Sequence, residues 1–264
     1  MNPSLKNSPM IFFVLVFILS IPFWGVGALS ARQLLPALPV SALAFLAPLG
    51  AAAILTGRKA GWPGVVTLLK RSFDWQRIGP KAWLILALLL APAIMVLSFW
   101  IQRGLGVPVP DPQVNLLTAI ALFVMFFIGG LGEELGWMGY AADPLQERFG
   151  ALRASLLMGL VWAVWHFIGL AQASRSIQFI AWWSLGTVAY RVIIFWLYNN
   201  SGRSVFAAAL FHAMINLSWQ LFPVDGSYYD PQITGLITAV VAVVVVMVWK
   251  PGTIARRRVE PATR

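Results

Sequence analysis

Residues 116–139 read LLTAIALFVMFFIGGLGEELGWMG, and this stretch decides the fold class. A helix that spans a bilayer needs about 20 mostly apolar residues, and this stretch supplies them with only Glu133 and Glu134 as charges. Seven further apolar stretches of similar length lie at roughly 10–29, 38–57, 82–101, 152–172, 177–198, 204–222 and 232–249. The sequence therefore predicts an all-α polytopic membrane helical bundle of about eight transmembrane helices, with residues 1–264 forming a single integral membrane domain.

The composition separates this chain from soluble proteins. Hydrophobic residues make up 59% of the 264 residues and charged residues only 11%, which is too little charge to solvate a globular protein of this length. We therefore expect the lipid bilayer to surround the chain. There is no cysteine, so thiolate metal sites and cysteine nucleophiles are excluded, and Ser, Thr, His and carboxylate groups remain for chemistry.

The positions of the charges indicate an orientation. The formal net charge is +10, but the basic residues lie in loops and at the C-terminus, so we expect no nucleic-acid partner. With the N-terminus inside, 15 of the 19 Lys and Arg residues fall on the inner face, and only Arg32, Arg103 and Arg175 on the outer face. The positive-inside rule thus predicts cytoplasmic N- and C-termini. We expect a multi-pass protein of a bacterial plasma membrane.

Two basic segments lie on the predicted inner face. Residues 58–81 form a basic cytoplasmic loop that is long enough for a helix at the membrane surface, and residues 250–264 form a basic cytoplasmic tail. Within the loop, several apolar side chains are candidates for contact with lipid: Trp62, Val65, Val66, Leu68 and Leu69.

Few ionisable side chains fall inside the predicted spans, and they are candidates for function because charge in lipid is costly. These side chains are Glu133, Glu134, His166, Arg191 and His212. His212 and Asn216 are four residues apart and project from one helical face, as do Trp162 and His166. A rise of about 1.5 Å per residue puts Glu133 about 10 Å and His212 about 12 Å from the inner ends of their helices. A shared cavity is compatible with these depths.

Three segments between residues 116 and 222 carry the motifs of a known family. They read Glu133-Glu134-Leu-Gly-Trp-Met138, Trp162-Ala-Val-Trp-His166 and His212-Ala-Met-Ile-Asn216. The sequence resembles the CPBP (Abi) family of intramembrane proteases, the relatives of CAAX prenyl protease 2. Each motif alone is weak, but their order, spacing and membrane context together are specific.

The resemblance implies a peptidase in which Glu133 and His166 activate water, while His212 and Asn216 stabilise the oxyanion. Its substrate would be a membrane-embedded or membrane-associated peptide or protein. The physical chemistry agrees with these roles, since a carboxylate becomes a stronger base in a medium of low dielectric constant. Imidazole and amide N–H groups can donate hydrogen bonds to a tetrahedral intermediate.

A zinc site is the competing interpretation of the same residues. Glu133, His166 and His212 could hold Zn²⁺ with a position left open for water. We favour a reaction without a cofactor, because the chain has no His-Glu-x-x-His motif and Asn216 is a poor zinc ligand. Zinc therefore stays possible but is not favoured.

One position departs from the family pattern. The family has Arg four residues after the second glutamate, whereas this chain has Met138, which removes the expected i, i+4 partner of Glu134. Arg191 is the one arginine that we place inside the predicted spans. Our hypothesis is that it pairs with Glu134. Trp162 is expected to pack beside the site. The lost arginine also keeps a catalytically silent scaffold or bacteriocin-immunity protein open as an alternative, and a proton-coupled transporter is a further one.

Overall fold

The structure, a computed structural model, describes residues 9–30 and 32–255. Nine α-helices account for most of this described part of the chain. They are α1 (Pro9–Ser30), α2 (Leu46–Lys70), α3 (Ala82–Gly104), α4 (Leu116–Gly136), α5 (Ala142–Phe149), α6 (Ala151–Gln172), α7 (Ile177–Asn200), α8 (Val205–Leu221) and α9 (Pro231–Trp249). The predicted all-α membrane bundle is confirmed.

Seven helical stretches in the described residues are long and apolar enough to cross a membrane. The eighth predicted span corresponds to α8, which has 17 residues and therefore a length of about 26 Å at 1.5 Å per residue. This short helix lies inside the bundle, and most of its side chains are buried. The orientation of the termini stays a prediction.

A feature that the sequence analysis did not predict follows α1. Strand β1 (Gln33–Leu35) pairs antiparallel with strand β2 (Leu38–Pro39), and a 3₁₀ turn over Val40–Phe45 leads into α2. The predicted span 38–57 therefore began too early. Residues 40–45 form the 3₁₀ turn instead, and the regular α-helix begins only at Leu46.

Helix α2 changes direction inside the predicted surface loop 58–81. Gly61 has φ 62°, a left-handed conformation that glycine adopts at little cost, and the helix then continues to Lys70. Trp62 is 71% exposed, as the surface interpretation requires, but Val65 and Leu68 are 8% and 5% exposed. The prediction that these two side chains face lipid is wrong, because this face of the helix packs against the protein.

The start of the basic tail is also packed against the bundle. The backbone N–H groups of Ala151 and Leu152 donate to the carbonyl oxygens of Gly252 and Pro251, and Ile254 is buried. Residues 256–264 of the predicted tail lie outside the described residues.

Helix α4 approaches its neighbours closely through glycine. A Cβ atom at Gly132 would lie 2.7 Å from the Phe45 ring, and one at Gly136 would lie 2.5 Å from the carbonyl oxygen of Pro48. Any larger residue at Gly136 would therefore force α2 away from α4. These contacts hold Glu133 and Glu134, which lie between the two glycines, inside the bundle.

The N-terminus of α8 is fixed from the segment before α3. Asp74 accepts hydrogen bonds from the Ser204 hydroxyl at 2.7 Å and from the backbone N–H groups of Val205 and Phe206 at 3.1 and 3.0 Å. A carboxylate at a helix N-terminus is stabilised by free N–H groups and by the helix dipole. Asp74 thus anchors the helix that carries His212 and Asn216.

Candidate active site

A cavity of about 290 Å³ lies between α4, α6, α7, α8 and the segment Leu34–Phe45. Its wall is mostly apolar and aromatic. The four residues predicted to act in chemistry all line it: Glu133, His166, His212 and Asn216. The structure therefore brings three helices together around one space, with Glu133 turned away from lipid at 7% exposure.

Two indole groups hold one oxygen of Glu133. The Nε1–H groups of Trp162 and Trp137 both donate to Oε2, at 2.8 and 3.3 Å, and both rings are buried. The other oxygen, Oε1, lies 3.9 Å from His212 Nε2, which is too long for a direct hydrogen bond. The two oxygens thus have different surroundings, and Oε1 is the one without an indole donor.

His212 lies between the two glutamates. Its Nδ1 is 2.8 Å from Glu134 Oε1, and because a carboxylate oxygen only accepts, Nδ1 carries the proton and donates it. Its Nε2 faces Glu133. When Nε2 is also protonated, four charged groups lie in a row, two positive and two negative, and the row is neutral overall. Its members are Arg191, Glu134, His212 and Glu133.

The predicted contact between Glu134 and Arg191 is present. Arg191 Nη1 donates to both carboxylate oxygens of Glu134, at 3.1 and 2.8 Å, and both side chains are 0% exposed. The guanidinium carbon also lies 4.0 Å from the centre of the Trp162 ring, a favourable cation–π arrangement. Met138 is buried in the core, so a cation on α7 pairs with Glu134, whereas the family pattern places the cation at position 138, just after α4.

Trp162 connects the two groups predicted to activate water. Its indole N–H donates to Glu133, and its carbonyl oxygen lies 2.8 Å from His166 Nδ1. Since a carbonyl oxygen only accepts, His166 Nδ1 carries a proton, and Nε2 of the neutral ring is an acceptor. The His166 ring also packs edge-on against Trp165 at a centroid distance of 4.7 Å, which limits its rotation.

Asn216 is half-buried in the cavity wall, one helical turn after His212. Its amide makes no hydrogen bond to another residue in the part of the chain that the structure describes. The amide is therefore available to a ligand in the cavity, and its N–H₂ group can donate two hydrogen bonds.

The same residues can be compared with the requirements of zinc. Within residues 9–30 and 32–255, no three His, Asp or Glu side chains are gathered as ligands of one ion. His212 Nε2 and Glu133 Oε1 make no hydrogen bond in the described residues, because Glu134 and the two indoles engage His212 Nδ1 and Glu133 Oε2 instead. The residues do not form a prearranged zinc site, and we derive no step through a metal. The absence of a cofactor stays a prediction.

Sequence reasoning missed the part played by Trp137 and the hairpin at the mouth of the cavity. Trp137 lies four residues after Glu133, so the helical i, i+4 spacing was a usable signal for contact. The role of Trp162 as a hydrogen-bond donor had no such signal, because it depends on how α6 packs against α4.

The fold and the site define a polytopic membrane protein with a buried cluster of Glu and His side chains facing a cavity. Residues 115–218 match the family model described as "Type II CAAX prenyl endopeptidase Rce1-like". The chain is 26% identical over 268 residues to CAAX prenyl protease 2 of Methanococcus maripaludis, an alignment covering 93% of this chain and 96% of that protein.

Similarity extends to a bacterial protein. The chain is 25% identical over 169 residues to lysostaphin resistance protein A of Staphylococcus epidermidis, which covers 61% of this chain and 42% of that protein. Together, these matches support the CPBP family that the motifs indicated, and with it an intramembrane endopeptidase. The comparisons thus agree with the resemblance that the motifs carry, and the apolar helices indicate an integral, multi-pass membrane protein.

Proposed function

We propose that this protein hydrolyses a peptide bond of a membrane-associated peptide or protein, using water activated by Glu133 and His166. One observation carries the proposal: Glu133, His166, His212 and Asn216 line the same cavity of about 290 Å³. A base, an imidazole and hydrogen-bond donors can therefore reach one scissile carbonyl bound in this cavity. The apolar wall suits a substrate that is itself apolar.

The proposed reaction begins with a water molecule between Glu133 Oε1 and His166 Nε2. Glu133 takes one proton from this water, and the resulting hydroxide attacks the scissile carbonyl carbon to form a tetrahedral oxyanion. The protonated Glu133 then gives its proton to the amide nitrogen, and the C–N bond breaks. Products are a carboxyl group and an amine, so one water molecule is consumed for each bond cleaved.

His212 and Asn216 are proposed to stabilise the oxyanion. The Asn216 amide has no partner among the described residues, and Nε2–H of a doubly protonated His212 is the second donor. Glu134 supports that protonated form, because it accepts from His212 Nδ1 at 2.8 Å. The loss of one oxyanion donor costs about 3 kcal/mol of barrier in well-studied enzymes, so Asn216→Ala should lower kcat about 100-fold.

The decisive experiment uses the protein reconstituted in liposomes with a library of quenched fluorescent, apolar peptides. Glu133→Gln should abolish cleavage, because an amide cannot take the proton from water. The matched control is Glu147→Gln, the same change at an exposed glutamate on α5 that lies outside the cavity lining. Cleavage that survives Glu133→Gln would refute the base role. Loss of cleavage with a chelator and its return with Zn²⁺ would establish the metal reaction instead.

A proton-coupled transporter is the second candidate, and one observation favours it. Arg191, Glu134, His212 and Glu133 form a continuous row of ionisable groups inside the bundle, which is an arrangement that proton relays use. This function predicts flux driven by a pH gradient in liposomes that persists when no peptide is cleaved.

A further inference from the structure

A short β-hairpin lies at the entrance of the cavity. The hairpin of β1 and β2 is the only sheet in the described residues, and Leu34, Ala37, Leu38 and Pro39 all line the cavity. Leu34 is 44% exposed, so this entrance is open to a ligand. A helical bundle has no structural need of a hairpin at this position.

Each strand of the hairpin leaves one edge unpaired. β1 pairs only with β2 in the described part of the chain, and an edge strand presents free N–H and C=O groups to which an extended peptide can add. Pro39 takes one donor away from β2. β1 contains no proline, so its edge is the better one for pairing.

The path from the hairpin to Glu133 fits the length of a short extended peptide. The 3₁₀ turn Val40–Phe45 leads from β2 into α2, and the Phe45 ring at its end packs on Gly132 of α4, the neighbour of Glu133. Six residues of 3₁₀ helix rise about 12 Å. An extended peptide covers that distance in about four residues at about 3.3 Å each.

An unpaired hydroxyl lies on this path. Ser41 belongs to the 3₁₀ turn and lines the cavity. It is 2% exposed, and its Oγ has no hydrogen-bond partner in the described residues. Buried polar groups normally have partners, so this hydroxyl is suited to a polar group that the substrate brings.

We propose that the substrate binds as an extended strand added to the edge of β1, with Ser41 bonding a backbone group of the peptide between the hairpin and Glu133. The ligand class is an extended peptide with apolar side chains, whose strand-paired residues lie about four residues from the scissile bond. The inference rests on the proposed function for the identity of that bond. Strand pairing itself is a binding property and can be measured without catalysis.

The test uses backbone N-methylation, which removes one N–H from the peptide and leaves its side chains intact. The probe is the best-cleaved apolar peptide of the library, or the tightest-binding one if none is cleaved. Single N-methyl groups are placed from two to six residues on either side of the centre or scissile bond. Binding is measured by fluorescence anisotropy on the Glu133→Gln protein in nanodiscs, where cleavage cannot interfere.

Strand pairing with the three residues of β1 predicts that Kd rises about 10-fold at one or two N-methyl positions two residues apart, because neighbouring N–H groups of a strand point to opposite edges. The other positions should change Kd by less than about twofold. Ser41→Ala should weaken binding, and Leu34→Pro should remove an N–H of β1 that Leu34→Ala keeps. A flat profile across the N-methyl series, or equal rises at neighbouring positions, overturns the inference.

The outcomes separate this inference from the proposed function. Cleavage by the unaltered protein with a flat N-methyl profile overturns strand addition and leaves the peptidase in place. An alternating profile without any cleavage supports strand addition and counts against the peptidase. No cleavage together with a flat profile removes both.

Discussion

Replacement of Arg191 by methionine is the sharpest test of how the site is held together. The change leaves the Glu134 carboxylate, which is 0% exposed, without the cation that binds both of its oxygens. Removal of one partner from a buried ion pair costs about 3–5 kcal/mol, because the other charge stays buried and unpaired. For a chain of this size, that loss corresponds to a decrease in Tm of about 6–20 °C.

A second substitution tests whether a cation at another position can replace Arg191 as the partner of Glu134. Met138→Arg returns a cation to the position where the family pattern has one, four residues after Glu134. Alone it buries an additional positive charge and should also destabilise the protein by several kcal/mol, about as much as any unpaired buried charge. Combined with Arg191→Met, it supplies the missing partner, so the double variant should recover at least half of the lost Tm.

The measurement is thermal unfolding followed by tryptophan fluorescence in detergent, with peptide cleavage in liposomes as the second readout. The four proteins form a double-mutant cycle, and a coupling free energy of about 2 kcal/mol or more is expected for groups in direct contact. Exchange of the two charges, Glu134→Arg with Arg191→Glu, should not restore activity, because His212 Nδ1 would lose its acceptor. A Tm within about 2 °C of the unaltered protein for Arg191→Met would refute the reasoning.

Two further predictions concern the indole donors and the orientation. Trp137→Phe and Trp162→Phe should each lower kcat about threefold, since the remaining indole still binds Glu133 Oε2, and the double variant should lose more than about 30-fold. Trp196→Phe is the matched control, because that buried indole lies outside the cavity lining and its N–H has no hydrogen-bond partner in the described residues, and an equal loss there would contradict the idea. Because the chain has no cysteine, Ser227→Cys and Lys70→Cys can be labelled singly with an impermeant maleimide on intact cells. Labelling of Ser227→Cys alone is expected, and labelling of Lys70→Cys alone would reverse the predicted topology.

The spans and the ionisable residues could be predicted from the sequence because both follow from the cost of exposing the wrong group to lipid. Apolar length fixed α4, α6 and α7 to within a few residues. The scarcity of charge singled out Glu134 and Arg191 as partners, and the contact between them at 2.8 Å is present. The chemical roles of Glu133 and His166 stay predictions.

The remaining features of the site depend on how the helices pack against one another. Residue spacing along a single helix does not predict that packing. His212 could be placed on a helical face, but its position between Glu133 and Glu134 requires the approach of α8 to α4. The hairpin at residues 33–39 was missed because strands of two or three residues leave no clear alternation in sequence. Val65 and Leu68 were misassigned because an apolar face looks the same whether lipid or protein covers it.

The position of the cation bears on how the cavity can open. Arg191 joins α7 to Glu134 on α4 and stacks on Trp162 of α6, so moving these helices apart would cost about 3–5 kcal/mol. The hairpin side of the cavity has no such link, because residues 33–39 form no ion pair in the part of the chain that the structure describes. We therefore expect opening for a substrate at the hairpin, which is also the edge at which an incoming peptide would regain backbone hydrogen bonds.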